Sequence, residues 1–238
     1  MSNELKRGLE GVLVTESELS HVDGDVGKLV YRGYDIEELA RGASYEEVLH
    51  LLWYGSLPTR GELDSFRGEL ESERAVDDDV LSTVRALAEA DERPMAALRT
   101  ATSMLSAYDA GEGGTLEEGA RITAKLPTIL AAFERARQGE PPVDPSSDLS
   151  HAGNFLYMLT GTEPDETSEE TFDMALTLHA DHGVNASTFT AMVIGSTMAD
   201  VCSAVTGGVG ALSGSLHGGA NQDVMEMLHE IDASEKGP

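Results

Sequence analysis

From Asp35 onward the sequence is a succession of helix starts, and that spacing excludes a fold built mainly of sheets. Ser44 is followed at the third position by Glu47, and Thr59 by Glu62. In each pair a hydroxyl and a carboxylate take unpaired N–H groups of a first turn. Apolar residues behind these starts recur at three- and four-residue steps. The spacing predicts helices over Ile36–Ala40 (capped by Asp35), Ser44–Tyr54, Thr59 to about Glu71, Val80–Ala90 and Pro94–Tyr108. It goes on with Thr115–Gln138, interrupted near Pro127, then Ser150–Leu159, Thr167–Leu178 capped by Thr167 or Ser168, and one long buried helix Asn185–Val205. Gly139–Pro145 is the strongest loop signal. Only the front departs: Val12–Val14, Leu19–Val22 and Lys28–Tyr31 read as short strands, with turn residues at Asp23-Gly24-Asp25 and Gly27. The expected fold is all-α with a small β element. An N-terminal segment, 1–35, holds a short β-hairpin, and 36–238 form a helical domain.

Charge narrows the partners. Against 43 acids stand 16 bases, 12 of them Arg, for a net charge of −27. Such a field repels nucleic acid and anionic membranes, so neither is an expected partner. With 40% hydrophobic content in periodic stretches, the chain reads as a folded domain in an acidic coat, not as a disordered polyanion. Abundant acids with scarce Lys suggest a halophile, where salt screens the repulsion. The acidic tract Glu62–Asp79 reads as a solvated face. The one cysteine, Cys202, excludes an intramolecular disulfide, reads as a buried inert thiol, and fits a reducing cytosol. Nothing at the start reads as a signal peptide, so the expected location is cytoplasmic. Phe189–Leu216 carries only Asp200 as a charge, yet its Gly, Ser and Thr content favours a buried helix and loop over a membrane span.

Two stretches bring chemistry. Val205–Val224 has six glycines between Gly207 and Gly219, and within that run one titratable side chain, His217. Glycine there suits close backbone packing. The run is no phosphate-binding loop, since no Gly-Lys-Ser/Thr follows, and no dinucleotide fingerprint follows a strand. Asn221–Ile231 resumes helical spacing, which sets His217 just before a helix start, among N–H donors and the positive end of a dipole. That setting favours a neutral imidazole able to donate to a carbonyl oxygen gaining charge. An ordinary histidine on a Gly-rich connector is the other reading. The second stretch, His179–Ser187, spaces His179, His182 and Asn185 along one face of a helix. A metal site, buried structural histidines and a polar pocket for an anion all fit these residue types. The metal reading lacks a fourth ligand and any nearby cysteine. His21, His50, His151 and His229 have no partner pattern and read as surface or packing residues.

These stretches also resemble a known family. GSLHGGAN at Gly214–Asn221 and HADHGVNAS at His179–Ser187 resemble the two histidine motifs of the citrate synthase family, which includes 2-methylcitrate synthases. YRGYDIEELA, RITAKLPTI and NFLYMLTG resemble its archaeal and bacterial members, so the similarity runs over nearly the whole chain, from about Leu5 to Asp232. The resemblance implies a helical large domain of a homodimeric acyltransferase condensing acetyl-CoA with oxaloacetate to citrate. Acetyl-CoA is then a substrate, and no metal or prosthetic group is required. It implies a catalytic role for His217, donating to the thioester carbonyl, and oxaloacetate contact for His182. It assigns no residue to CoA. Arg32 reads as a structural ion-pair partner before an anion contact. In the family a further histidine in a later Gly-His-Arg segment, and an aspartate base downstream of it, complete the site; these have no counterpart before Pro238, so the chain is expected to be a large-domain portion whose activity alone is in doubt. Ser215 stands where the family commonly has proline, and Gly183 where many members have Glu. The rival functions are a 2-methylcitrate synthase using propionyl-CoA, and a non-catalytic homologue serving as a dimerising or ligand-binding domain.

Overall fold

The computed structural model describes residues 15–108 and 113–218, together with 225, 227, 228, 230 and 231. It opens with an antiparallel sheet of β1 (Ser20–Asp23), β2 (Lys28–Tyr31) and β3 (Tyr34–Asp35), with Ser20 opposite Tyr31 and Val30 opposite Asp35. The hairpin of the sequence reading is thus followed by a third strand. Arg32 and Gly33 both take positive φ, 47° and 93°, and reverse the chain in two residues without the usual Asn-Gly pair. The strand expected at Val12–Val14 lies outside the described residues.

Ten helices follow among the described residues: α1 (Ile36–Gly42), α2 (Tyr45–Tyr54), α3 (Arg60–Ser72), α4 (Asp78–Glu89), α5 (Pro94–Tyr108), α6 (Thr115–Arg137), α7 (His151–Thr160), α8 (Glu166–His179), α9 (Ala186–Gly195) and α10 (Val201–Leu212). Both capping boxes form, Ser44 with Glu47 and Thr59 with Glu62. Gly55 closes α2 in the left-handed conformation, at φ 86°. The largest core lies where α4, α5, α6 and α10 meet, through Val84, Leu98, Leu105, Ile129, Phe133, Cys202 and Val209. A second, around Tyr31, Leu39, Val48 and Leu51, seats the sheet on α1 and α2. Fully burying a side chain of this size contributes about 1.5–3 kcal/mol.

Three expectations are corrected. α6 runs unbroken through Pro127, because Ala124, Lys125, Thr128 and Ile129 around it are all buried. That packing offsets the ~3 kcal/mol an interior proline costs. The cap of α8 is Asp165, which accepts from the Ser168 N–H at 2.8 Å, and not Thr167 or Ser168. The single helix Asn185–Val205 is two, α9 and α10, which pack on each other. Ser196 and Thr197 donate to the Val193 and Ile194 carbonyls, each at 2.7 Å, and so close α9. Met198 turns at φ 65°, and Asp200 opens α10 by accepting from the Ser203 N–H at 2.7 Å. The stretch is also not buried throughout: no residue of α9 is. No helix among the described residues is long and apolar enough to cross a membrane.

Candidate active site

The glycine run is half helix and half turn: Gly207, Gly208 and Gly210 lie in α10, which ends at Leu212, and residues 213–218 turn. Close approach is permitted at Gly207, where a Cβ would stand 2.2 Å from Ile194 Cδ1, whereas one at Gly208 would make ordinary contact with the Ser187 carbonyl oxygen at 3.5 Å. After α10 the chain tightens into a turn, with the His217 and Gly218 N–H groups both donating to the Gly214 carbonyl, at 3.0 and 3.2 Å. A Cβ on Gly218 would lie 2.1 Å from the Leu212 carbonyl oxygen, so this turn folds back on the end of α10.

The turn delivers His217, half-buried, to the start of α9. Its Nε2 lies 2.8 Å from the Ser187 hydroxyl, and that hydroxyl lies 2.9 Å from the Gly208 carbonyl. Asn185 caps α9, accepting from the Thr188 N–H at 2.9 Å, so Ser187 sits in its first turn. The helix end beside His217 is therefore that of α9. Of the helix expected after it, Met225, Met227, Leu228, Glu230 and Ile231 have helical backbone and are exposed, and its start lies outside the described residues. The Ser187 proton decides what His217 can do. Directed at the Gly208 carbonyl, it leaves Ser187 to accept from Nε2–H, and a neutral ring keeps only a lone pair on Nδ1. Directed at Nε2, it leaves Nδ1–H as a donor. The contact of Ser187 with a residue thirty positions on has no local signal in the sequence.

His182 lies in the loop between α8 and α9. The one-face arrangement of His179, His182 and Asn185 does not occur, because α8 ends at His179 and Asn185 starts the next helix. Both histidines are exposed, with ring centroids 6.3 Å apart. His179 Nδ1 meets the Ala175 carbonyl at 2.7 Å, and His182 Nε2 the Leu178 carbonyl at 3.0 Å. Neither is a buried structural histidine. Arg32 pairs with Glu18 at 3.7 Å and donates to the Leu52 carbonyl at 3.3 Å, the structural role expected of it. His50 and His151 are buried packing residues, and burial pushes His151 down to about 4.

Among the described residues one trio could bring metal ligands together: Glu118, Asp200 and Cys202, within 4.8 Å of one another. Its carboxylates are already engaged at the start of α10. Glu118 accepts from the Val201 and Cys202 N–H groups at 3.0 and 3.3 Å, and Asp200 caps the helix. A concavity of about 730 Å³ opens elsewhere, between the end of α1, Arg67, Ser150 and the Glu169–Asp173 face of α8.

Comparison with known proteins agrees with this architecture. The family profile described as "Citrate synthase, C-terminal domain" matches residues 8–237. The citrate synthase of Haloferax volcanii is 62% identical over 246 aligned residues, covering 100% of this chain and 65% of that protein. The 2-methylcitrate synthase of Mycobacterium tuberculosis is 44% identical, covering 96% and 58%. The crystal structure of citrate synthase from Pyrobaculum aerophilum superposes with a TM-score of 0.83 at 40% identity, covering 97% of this chain and 63% of that one. A ternary complex of the Thermoplasma acidophilum citrate synthase with carboxymethyl coenzyme A and oxaloacetate reaches a TM-score of 0.86 at 30% identity, covering 97% and 61%. The chain thus spans less than two thirds of the length of these relatives. With its helical core, its paired histidine segments and a family match over almost all of its residues, the chain belongs to the citrate synthase family.

Proposed function

We propose that these residues form the part of an acyltransferase site that faces both substrates, in an enzyme condensing acetyl-CoA with oxaloacetate to give citrate and free CoA. The observation that carries the reading is the His217 ring, held on Ser187 at the start of α9 with one nitrogen left over. The complex of the Thermoplasma acidophilum relative with oxaloacetate and a CoA analogue supports it. The Ser187 hydroxyl donates to the Gly208 carbonyl at 2.9 Å in the free chain; when its proton turns to Nε2 instead, Nδ1–H of His217 donates to the thioester carbonyl oxygen, and the bond strengthens as that oxygen gains charge. His182 engages oxaloacetate. Acetyl-CoA enters as substrate, and the reaction so read calls for no metal or prosthetic group.

The uncharged α9, part-buried against α10 and with Met192 and Val193 about half exposed, supports a homodimer as the working assembly. The −27 charge and the Haloferax volcanii relative support a salt-rich cytoplasm as its setting. Residues 1–35 serve as the N-terminal segment and 36–238 as the helical body of one large domain.

The test completes these 238 residues with the remaining length of the Haloferax volcanii relative and follows CoA release. His217→Ala should lower kcat by about 10²–10³, the loss typical of one donor to a developing oxyanion, with a small effect on KM. His182→Ala should raise KM for oxaloacetate. An unchanged kcat in His217→Ala would remove the assignment, and a preference for propionyl-CoA would favour the 2-methylcitrate reaction.

A further inference from the structure

The loop from Ala180 to Val184 must hold His182 in place without helix or strand of its own, and its fixings come from the front of the chain. Tyr31 of β2, fully buried, sets its hydroxyl against the open end of α8, whose last carbonyls lack helical partners. The hydroxyl donates to the Thr177 carbonyl at 3.2 Å, with the Leu178 carbonyl at 3.4 Å, and accepts from the Asp181 N–H at 3.2 Å. The Asp181 carboxylate accepts from the Ser20 hydroxyl of β1 and from the Gly183 N–H at 2.8 Å. Gly183 reverses the backbone at φ 75°, where glycine is needed. The residues on both sides of His182 are therefore tied to Asp181 or to the sheet.

The ring itself follows from this. A carbonyl has no proton to give, so His182 Nε2, 3.0 Å from the Leu178 carbonyl, is the protonated nitrogen. We propose that Tyr31, Asp181 and Ser20 are positioning residues for His182. They clamp its loop so that Nε2–H stays on the Leu178 carbonyl and Nδ1 is the nitrogen a ligand meets. A 2-oxo dicarboxylate offers only oxygen acceptors, so contact through Nδ1 requires a second proton on the ring, and binding takes that proton up. Among the described residues, the titratable groups next to the ring include His179 at the end of α8, the neighbouring Asp181, and Tyr31 from the sheet, whose hydroxyl shares the Leu178 carbonyl with His182. This last step rests on the reading of His182 as the oxaloacetate contact; the clamp does not.

Long-range ¹H–¹⁵N spectra of the ¹⁵N-labelled chain in concentrated KCl test both, with the His182 signals assigned by their loss in His182→Gln. The free protein should show the Nε2–H tautomer. Tyr31→Phe, which removes one oxygen, and Asp181→Ala should each convert His182 to a mixture of tautomers while the helical circular dichroism is kept. Asp181→Asn, retaining an acceptor for the Gly183 N–H, should restore the single form. Should Tyr31→Phe not fold, Asp181→Ala and Ser20→Ala decide. An Nδ1–H tautomer in the free protein, or His182 signals unmoved by these substitutions, would overturn the clamp. Added oxaloacetate should convert the ring to imidazolium, with a heat of binding that depends on the buffer. Binding through a ring that stays neutral would overturn the assignment of Nδ1. A chain that shows the clamp but no response to oxaloacetate would instead count against the proposed substrate.

Discussion

Asp173, on α8, sets two electrostatic effects against each other. Its carboxylate oxygens lie 3.2 and 3.0 Å from the Tyr45 N–H, the first of α2, an arrangement that favours the anion. Burial of half the group opposes this, and Glu46 and Glu169 add repulsion that Arg67 only partly offsets. Burial wins, and the carboxyl is pushed up to about 6. The folded chain therefore holds this proton more tightly than the unfolded chain does. That support for folding is complete below the ordinary carboxyl value, and it is lost as pH rises through about 6. Asp173→Asn keeps a carbonyl oxygen for the Tyr45 N–H and cannot ionise. The displacement corresponds to about 3 kcal/mol at the limit, at about 1.4 kcal/mol per unit. For a half-exposed group, solvent screening reduces this to about 1 kcal/mol. The variant should match the parent near pH ~4 and exceed it by about 1 kcal/mol near pH ~8, in urea unfolding at constant salt. His151, depressed to about 4 by burial, destabilises both proteins as pH falls below the ordinary imidazole value, and cancels in the difference. An Asn variant less stable than the parent by the same amount at both ends would refute the reasoning, and would show that the helix start outweighs burial.

Three further outcomes are expected. Ser187→Ala should lower stability by about 1 kcal/mol, and in ¹⁵N spectra it should release His217 from a single tautomer; a ring that keeps its form would mean that Ser187 does not set it. Gly207→Leu should wedge α9 from α10 at a cost of about 1–3 kcal/mol, whereas Gly208→Ala, with 3.5 Å to the Ser187 carbonyl, should gain up to about 1 kcal/mol in helix propensity. Equal losses in thermal melts of the two would sink the packing argument. With a net charge of −27, the melting temperature should climb as KCl rises to molar levels, and a flat or falling curve would remove the inference of a salt-rich setting.

The fold was legible at most places where local chemistry decides it, although the local Asp165 cap of α8 was misplaced by two or three residues. Capping boxes at Ser44 and Thr59 and Pro94 at the start of α5 are written in neighbouring residues, and the structure uses each of them. Sequence reasoning failed where distant packing decides. Pro127 looks like a break until the burial on both sides of it is known. The split between α9 and α10 was signalled by Ser196, Thr197 and Asp200, but the apolar periodicity on either side outweighed those three polar residues. The site divides in the same way. His217 and His182 stood out by their motifs, whereas Ser187 came into view only when α10 and its turn folded back on α9. Tyr31 and Asp181 belong to that hidden class too, since contacts 150 positions apart leave no trace in spacing.

The acidity itself resolves into two populations once the structure is seen, and they respond to salt and acid in opposite ways. One population sits at helix starts. Asp35, Asp77, Asp165 and Asp200 cap α1, α4, α8 and α10, and Glu47 and Glu62 complete the capping boxes of α2 and α3. Hydrogen bonds from Thr59, Ser168 and Ser203 hold the carboxyls of Glu62, Asp165 and Asp200 below their ordinary range. These carboxylates support folding above the ordinary carboxyl value, and that support is lost as pH falls through their lowered values. Salt weakens them a little, because helix-end interactions are screened. The other population is the open coat, such as the exposed Glu89, Asp91 and Glu92 around the end of α4, where the dominant effect is mutual repulsion that salt relieves. Most of the 43 acids cap no helix, so the net response to salt is expected to be stabilising. Acid does not substitute for salt here. Protonation removes the repulsion of the coat, but it also removes the caps and charges the buried His151, so the conditions that favour this fold are neutral and saline.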